Sequence, residues 1–94
     1  MWGTFIGFGE AESKRVEEVC ASIAKKDKSF VYRIGPMFEK FRGKYPYLLL
    51  VESKTREQAV KRGLLLVRRY LPEFNLLFWV EEIGEPGEDA EGSV

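Results

Sequence analysis

The sequence predicts a single α+β domain with the element order βαββαβ. Three observations predict it. Two stretches, 12–26 and 55–71, place apolar residues three and four apart, as on one face of a helix. Four short stretches rich in aromatic and branched residues (4–8, 30–34, 45–52 and 74–83) are disposed around them as strands. Glycine and proline mark the breaks at Gly7, Gly9, Gly35-Pro36 and Pro72. A chain of 94 residues suits one domain, and 45% hydrophobic content supplies a core without disulfides or a structural metal.

Each element follows from its residues. The first strand, 4–8, exits at Gly7 and Gly9. In the helix at 12–26, Ser13 is the expected cap, and Val16, Val19, Cys20, Ile23 and Ala24 form the apolar stripe. Glu17 and Glu18 in its first half and Lys25 and Lys26 in its last turn suit the helix dipole. Asp27, Lys28 and Ser29 turn into the second strand, which Gly35-Pro36 ends. A loop at 37–44, with one helical turn at 37–41, leads to the third strand. Pro46 lacks an N–H and so belongs at that strand's start. Thr55 and Gln58 form a capping-box pattern opening the second helix. That helix carries Ala59, Val60, Gly63, Leu64, Val67, Tyr70 and Leu71 on one face. Lys61, Arg62, Arg68 and Arg69 lie on the other, with Leu65 among them, and Pro72 closes it.

Right-handed crossovers put both helices on one face of a four-stranded antiparallel sheet, with strands one and three central. This is the ferredoxin-like plan. The domain is expected to span 1–83, followed by an acidic disordered tail at 84–94 that holds Glu85, Glu88, Asp89 and Glu91. Setting those four aside leaves 15 basic against 11 acidic residues, a net +4 for a chain that is neutral overall. One Asn and one Gln against many Lys, Arg and Glu resemble a thermophile's composition.

Several chemistries are poorly served. With no histidine, the commonest general base and metal ligand is missing. The single cysteine, Cys20, falls in an apolar stripe and reads as an inert packed thiol in a reducing compartment. Gly7-Phe8-Gly9 is only a fragment of a dinucleotide fingerprint, since Glu12 stands at the third glycine position. Glu81 and Glu82 point to opposite faces of a strand and make a poor acid–base pair. No enzyme, metal site or cofactor is expected. No apolar run approaches the roughly 20 residues of a membrane span, nor does MWGTFIGFGE read as a signal peptide, so a cytoplasmic protein is expected.

Two features point to partners. The basic side of the second helix, Lys61, Arg62, Arg68 and Arg69, has only Glu57 as a nearby acid. The loop MFEKFRGKYPY interleaves Lys40, Arg42 and Lys44 with Phe38, Phe41, Tyr45 and Tyr47. Cations for phosphates beside rings for bases is the chemistry of single-strand recognition. A comparison with the RNA-recognition motif fails at that family's third-strand signature. Arg42-Gly43 is followed by Lys44, and Pro46 takes the next aromatic position. The leading expectation is therefore a non-enzymatic nucleic-acid-binding module, RNA before DNA. It would use Lys61, Arg62, Arg68, Arg69, Lys40, Arg42 and Lys44, with Phe38, Phe41 and Tyr45 as a stacking surface. The alternative is a self-associating structural or regulatory protein that binds a small ligand or protein through its sheet. Period two leaves large apolar groups on both sides of strands three and four, with Phe5 and Val31 as candidates to join them, and one helix layer covers one side. A homodimer through Leu77, Trp79, Leu48 and Leu50 would cover the other.

Overall fold

The computed structural model describes residues 1–84 of the chain. The predicted tail, apart from Gly84, lies outside the described residues. The elements are β1 (Trp2–Phe8), α1 (Glu10–Lys26), β2 (Val31–Pro36), a 3-10 turn (Glu39–Phe41), β3 (Tyr47–Ser53), α2 (Arg56–Leu64), a π-helical continuation (Leu65–Tyr70) and β4 (Leu77–Glu82). All strand pairs are antiparallel, in the order β2-β3-β1-β4. β1 and β3 are central and both helices lie on one face, the expected ferredoxin-like plan.

Alternation along β1 divides the molecule in two. Thr4, Ile6 and Phe8 face the helices, while Gly3, Phe5 and Gly7 face away. The helix-side core gathers Ile6, Phe8, Val16, Val19, Cys20, Phe30, Leu49, Val51, Leu66 and Leu71, all buried. Thr4 is also buried, and its hydroxyl donates to the carbonyl of Ala59 at 2.6 Å, which satisfies the one polar group at the α2–β1 contact. Gly63 allows that contact to close. A Cβ there would strike the Phe78 ring and stand 2.9 Å from Thr4 Cγ2.

Several boundaries differ from expectation. α1 begins at Glu10 with Gly9 as its cap residue, so Ser13 is not the cap. The Ser13 hydroxyl instead donates back to the Glu10 carbonyl within the first turn. The strand at β2 runs through Gly35-Pro36, because it is an edge and Pro36 need not donate to the ladder. Tyr45 and Pro46 precede β3, and the Pro46 carbonyl accepts from Met37 N. Phe74 to Leu76 stand before β4, with Phe74 N donating to Leu71 O.

The helix at 55–71 starts as expected: Thr55 Oγ1 accepts from Gln58 N at 3.1 Å, and Gln58 Oε1 accepts from Lys54 N at 3.2 Å. It does not continue as a uniform α-helix. From Leu65 the turns widen, and Leu71 N donates to Leu66 O, five residues back, at 2.9 Å. The wider spacing buries Leu66 and Leu71 together, where uniform α-helical geometry places Leu66 outside the apolar stripe.

Candidate nucleic-acid interface and the roofed sheet face

The predicted basic face is partly dismantled. Lys61, Arg68 and Arg69 are exposed, with Leu65 beside them at 41% exposure. Arg62 is not part of that face; its side chain is only 13% exposed and turns toward the sheet. Nη1 donates to Glu52 O at 2.8 Å and Ser53 Oγ at 3.1 Å, while Nη2 donates to Ser29 Oγ at 2.9 Å. Asp27 stands 4.0 Å away, and the guanidinium lies over the Phe30 ring. Arg62 thus ties α2 to the end of β3 and to the α1–β2 turn. Two Ser29 donors, its hydroxyl and its N–H, stabilise the Asp27 carboxylate and lower its pKa, with Arg62 contributing less. Sequence spacing found the cations but could not show that one of them folds inward.

The loop at 37–45 lies on the opposite side of the sheet from the helices. There Phe5, Met37 and Leu48 form a second, smaller core, with Phe41, Tyr45, Leu50, Leu77, Trp79 and Ile83 packed against it. The expected uncovered apolar face is therefore largely roofed by the chain's own loop. Gly7 makes room for the roof, since a Cβ there would stand 3.1 Å from Tyr45 Cβ and 3.2 Å from Leu77 Cβ. Arg42 closes the loop on itself, with Nε and Nη2 both donating to the Met37 carbonyl at 2.9 and 2.8 Å. Arg42, expected as a phosphate ligand, directs Nε and Nη2 into this clasp while the residue stays exposed. Leu48, expected at a dimer interface, is already buried beneath the roof.

Lys40, Lys44 and Phe38 stay exposed. Lys40 Nζ lies 5.0 Å from the Phe41 centroid and Lys44 Nζ 5.6 Å from that of Tyr45, so each cation rests over a ring of the roof. Tyr45 itself packs into the second core and presents little free surface for stacking. Phe38, Lys40 and Phe41 join Leu77, Trp79 and Glu81 around a concavity of ≈ 380 Å³ beside β4. Period two places Leu77, Trp79 and Glu81 on one side of that strand; only the folded loop shows what stands over them.

Other candidates carry less. Cys20 is fully buried, and burial pushes its thiol up to about 12, in keeping with a packed, unreactive group. Tyr47 donates to the Glu10 carboxylate, a bond that raises the Tyr47 pKa. Glu81 accepts from Trp79 Nε1 at 2.9 Å. Among the described residues, no group of three or more His, Cys, Asp or Glu could hold a metal ion. None of their helices is long and apolar enough to cross a membrane.

The sequence matches no described protein family and no curated protein. Solved structures match in fold. A dimeric ferredoxin-like protein of unknown function from Jannaschia sp. CCS1 superimposes with a TM-score of 0.54 at 19% identity, over 87% of this chain and 98% of that one. The protein At3g17210 from Arabidopsis thaliana does so with a TM-score of 0.51 at 14% identity, over 89% and 95%. At these identities the likeness concerns the fold alone, which is ferredoxin-like.

Proposed function

We propose that the protein is a non-enzymatic nucleic-acid-binding module, with single-stranded RNA as the partner its chemistry fits best. The observation that supports this reading is the set Lys61, Arg68 and Arg69, exposed on one helical arm and without an ion-pair partner among the described residues. A solvated helix face ordinarily mixes signs so that charges pair. Here the one cation of the four that stands within 4.0 Å of a carboxylate, Arg62, is the one folded inward. α2 packs over β1, β4 and β3, with Lys61 and Leu65 beside the α1–β2 turn at Asp27 and Ser29, while the concavity beside edge strand β4 opens on the other face of the sheet.

Changing Arg68 and Arg69 together to Glu tests the reading. RNA retention at low salt should be lost while the melting temperature stays near that of the native chain. For the native chain, the logarithm of affinity should fall linearly with the logarithm of salt concentration. Absence of RNA and DNA binding at low salt would remove the proposal.

A second reading, self-association, is supported by a different observation. Val31 is 49% exposed on the face that the loop roofs, diagonal to the half-buried Leu50 of β3, with Glu52 and Arg33 as their respective cross-strand partners. The ferredoxin-like neighbour from Jannaschia is itself dimeric. A symmetric homodimer would cover this remainder of the sheet face with one self-complementary patch. Sedimentation of the native chain against Val31→Glu and Leu50→Glu tests it; a native chain monomeric throughout the micromolar range would end it.

A further inference from the structure

We infer that the concavity beside β4 is a stacking site for a phosphate-bearing nucleobase with an exocyclic amino group. This deepens the nucleic-acid reading above and rests on it. Trp79 pairs with Phe5 across β1 and β4, and the two rings stack in parallel, 5.0 Å apart with an interplanar angle of 7°. Phe5 therefore occupies the inner face of the indole. β4 is an edge strand, so the outer side of Trp79 looks into the concavity rather than onto another strand. Phe38 and Phe41 stand over it, tilted by 47° and 52° to the indole at 6.3 and 5.7 Å, and Leu77 adds apolar wall. A planar ring entering here extends the Phe5–Trp79 stack by one member. The ≈ 380 Å³ falls at the small end of the range of about 300 to 1,000 Å³ typical of ligand sites.

Two charged groups at the rim narrow the class. Glu81 accepts the indole N–H at 2.9 Å through one carboxylate oxygen, which orients the ring and leaves the other oxygen as an acceptor. A carboxylate in that position selects a base that donates an amino group, as cytosine or adenine does, over uracil, which presents none there. Lys40 carries its ammonium at the loop side of the same concavity, where it suits a phosphate. The same chemistry is met in a free nucleotide and in a unit of single-stranded RNA, and the experiment separates the two.

A full-length Trp2→Phe chain leaves Trp79 as the only indole, and its fluorescence is titrated with CMP, UMP, oligocytidylate and oligouridylate at low salt. The Trp79 indole N–H resonance of the native chain serves as a second readout should Trp2→Phe fold poorly. Cytidine ligands should perturb Trp79, uridine ligands should bind about tenfold more weakly for want of one hydrogen bond, and Lys40→Glu should abolish the response. If CMP and oligocytidylate perturb Trp79 equally, and Arg68→Glu/Arg69→Glu changes neither, the site stands as a free-nucleotide site and the helix-face reading falls. A stronger response to oligocytidylate, weakened by that double change, supports both. Retention of RNA with Trp79 unperturbed overturns the stacking site alone, as does an equal response to uridine and cytidine.

Discussion

The two sides of the sheet are covered by different means. On one side, α1, α2 and its π continuation close over ten buried core residues, drawn from β1, α1, β3, the π segment and the connections at Phe30 and Leu71. On the other, a single loop presses Met37, Phe41 and Tyr45 onto Phe5 and Leu48, and only three residues of that cluster, Phe5, Met37 and Leu48, are buried. Apolar burial contributes roughly in proportion to area, so the helix side holds the greater part of the stability. The loop side is thinner and bears an exposed ring, Phe38, beside the exposed cations Lys40 and Lys44. The two cores are separated by the sheet itself, and truncations in one or the other should have separable consequences for stability.

The largest contrast is expected between Phe8 and Met37, both fully buried. Phe8→Ala removes a ring from the helix-side core, and truncations of this kind cost about 3–5 kcal/mol. Denaturant unfolding should show a loss in that range, enough to unfold a marginal domain. Met37→Ala should sit near about 2 kcal/mol, the low end for Met, because the roof can settle into the space. A Met37→Ala chain as unstable as Phe8→Ala would mean that the two cores form one cooperative unit of equal weight.

This asymmetry was only half legible in the sequence. Alternation and the capping box located the strands, the central pair and the start of α2, because those features are local. The roof could not be read, since Met37, Phe41 and Tyr45 meet Phe5 and Trp79 only after the chain has folded back across the sheet. The apolar surplus on β3 and β4 was real. What covers most of it is a loop within the chain rather than a second copy. Ser13 and the π segment were missed for a related reason. Gly9 has no side chain to announce a cap, and the five-residue bond between Leu66 and Leu71 breaks the spacing by which helix faces are counted.

Arg62 and the pair Arg68 and Arg69 sharpen the comparison at the next level, because they are close in sequence and opposite in role. Arg62→Met should cost about 1.5–3 kcal/mol, the worth of charge-assisted hydrogen bonds, by detaching α2 from Ser29 and Ser53. Its effect on the salt dependence of polyanion binding should be nil. Arg62→Lys should recover only part of the stability, since an ammonium cannot reproduce the guanidinium fork. Arg68→Glu with Arg69→Glu should do the reverse, altering binding and leaving unfolding within about 0.5 kcal/mol. A changed salt slope in Arg62→Met would return that residue to the binding face.

The smallest effect belongs to Phe38, the most exposed ring of the roof at 47%. It touches Phe5 and Trp79 at centroid distances of 6.3 Å each, tilted rather than stacked. Aromatic pairs contribute about 0.5–1.5 kcal/mol beyond area, and half of this ring is already in water. Phe38→Ser should therefore lower stability by about 1 kcal/mol or less, with no change in the cooperativity of unfolding. Arg42 and Met37 still clasp the loop in this variant, so the second core should stay closed and Trp79 should keep its stack on Phe5. Near-ultraviolet circular dichroism reads that stack directly. An unchanged indole signal with a small stability loss would identify Phe38 as a surface residue kept apolar for contact with a partner. A collapsed indole signal would instead make Phe38 a structural part of the roof, and the division of labour between the two faces would have to be redrawn at the 3-10 turn.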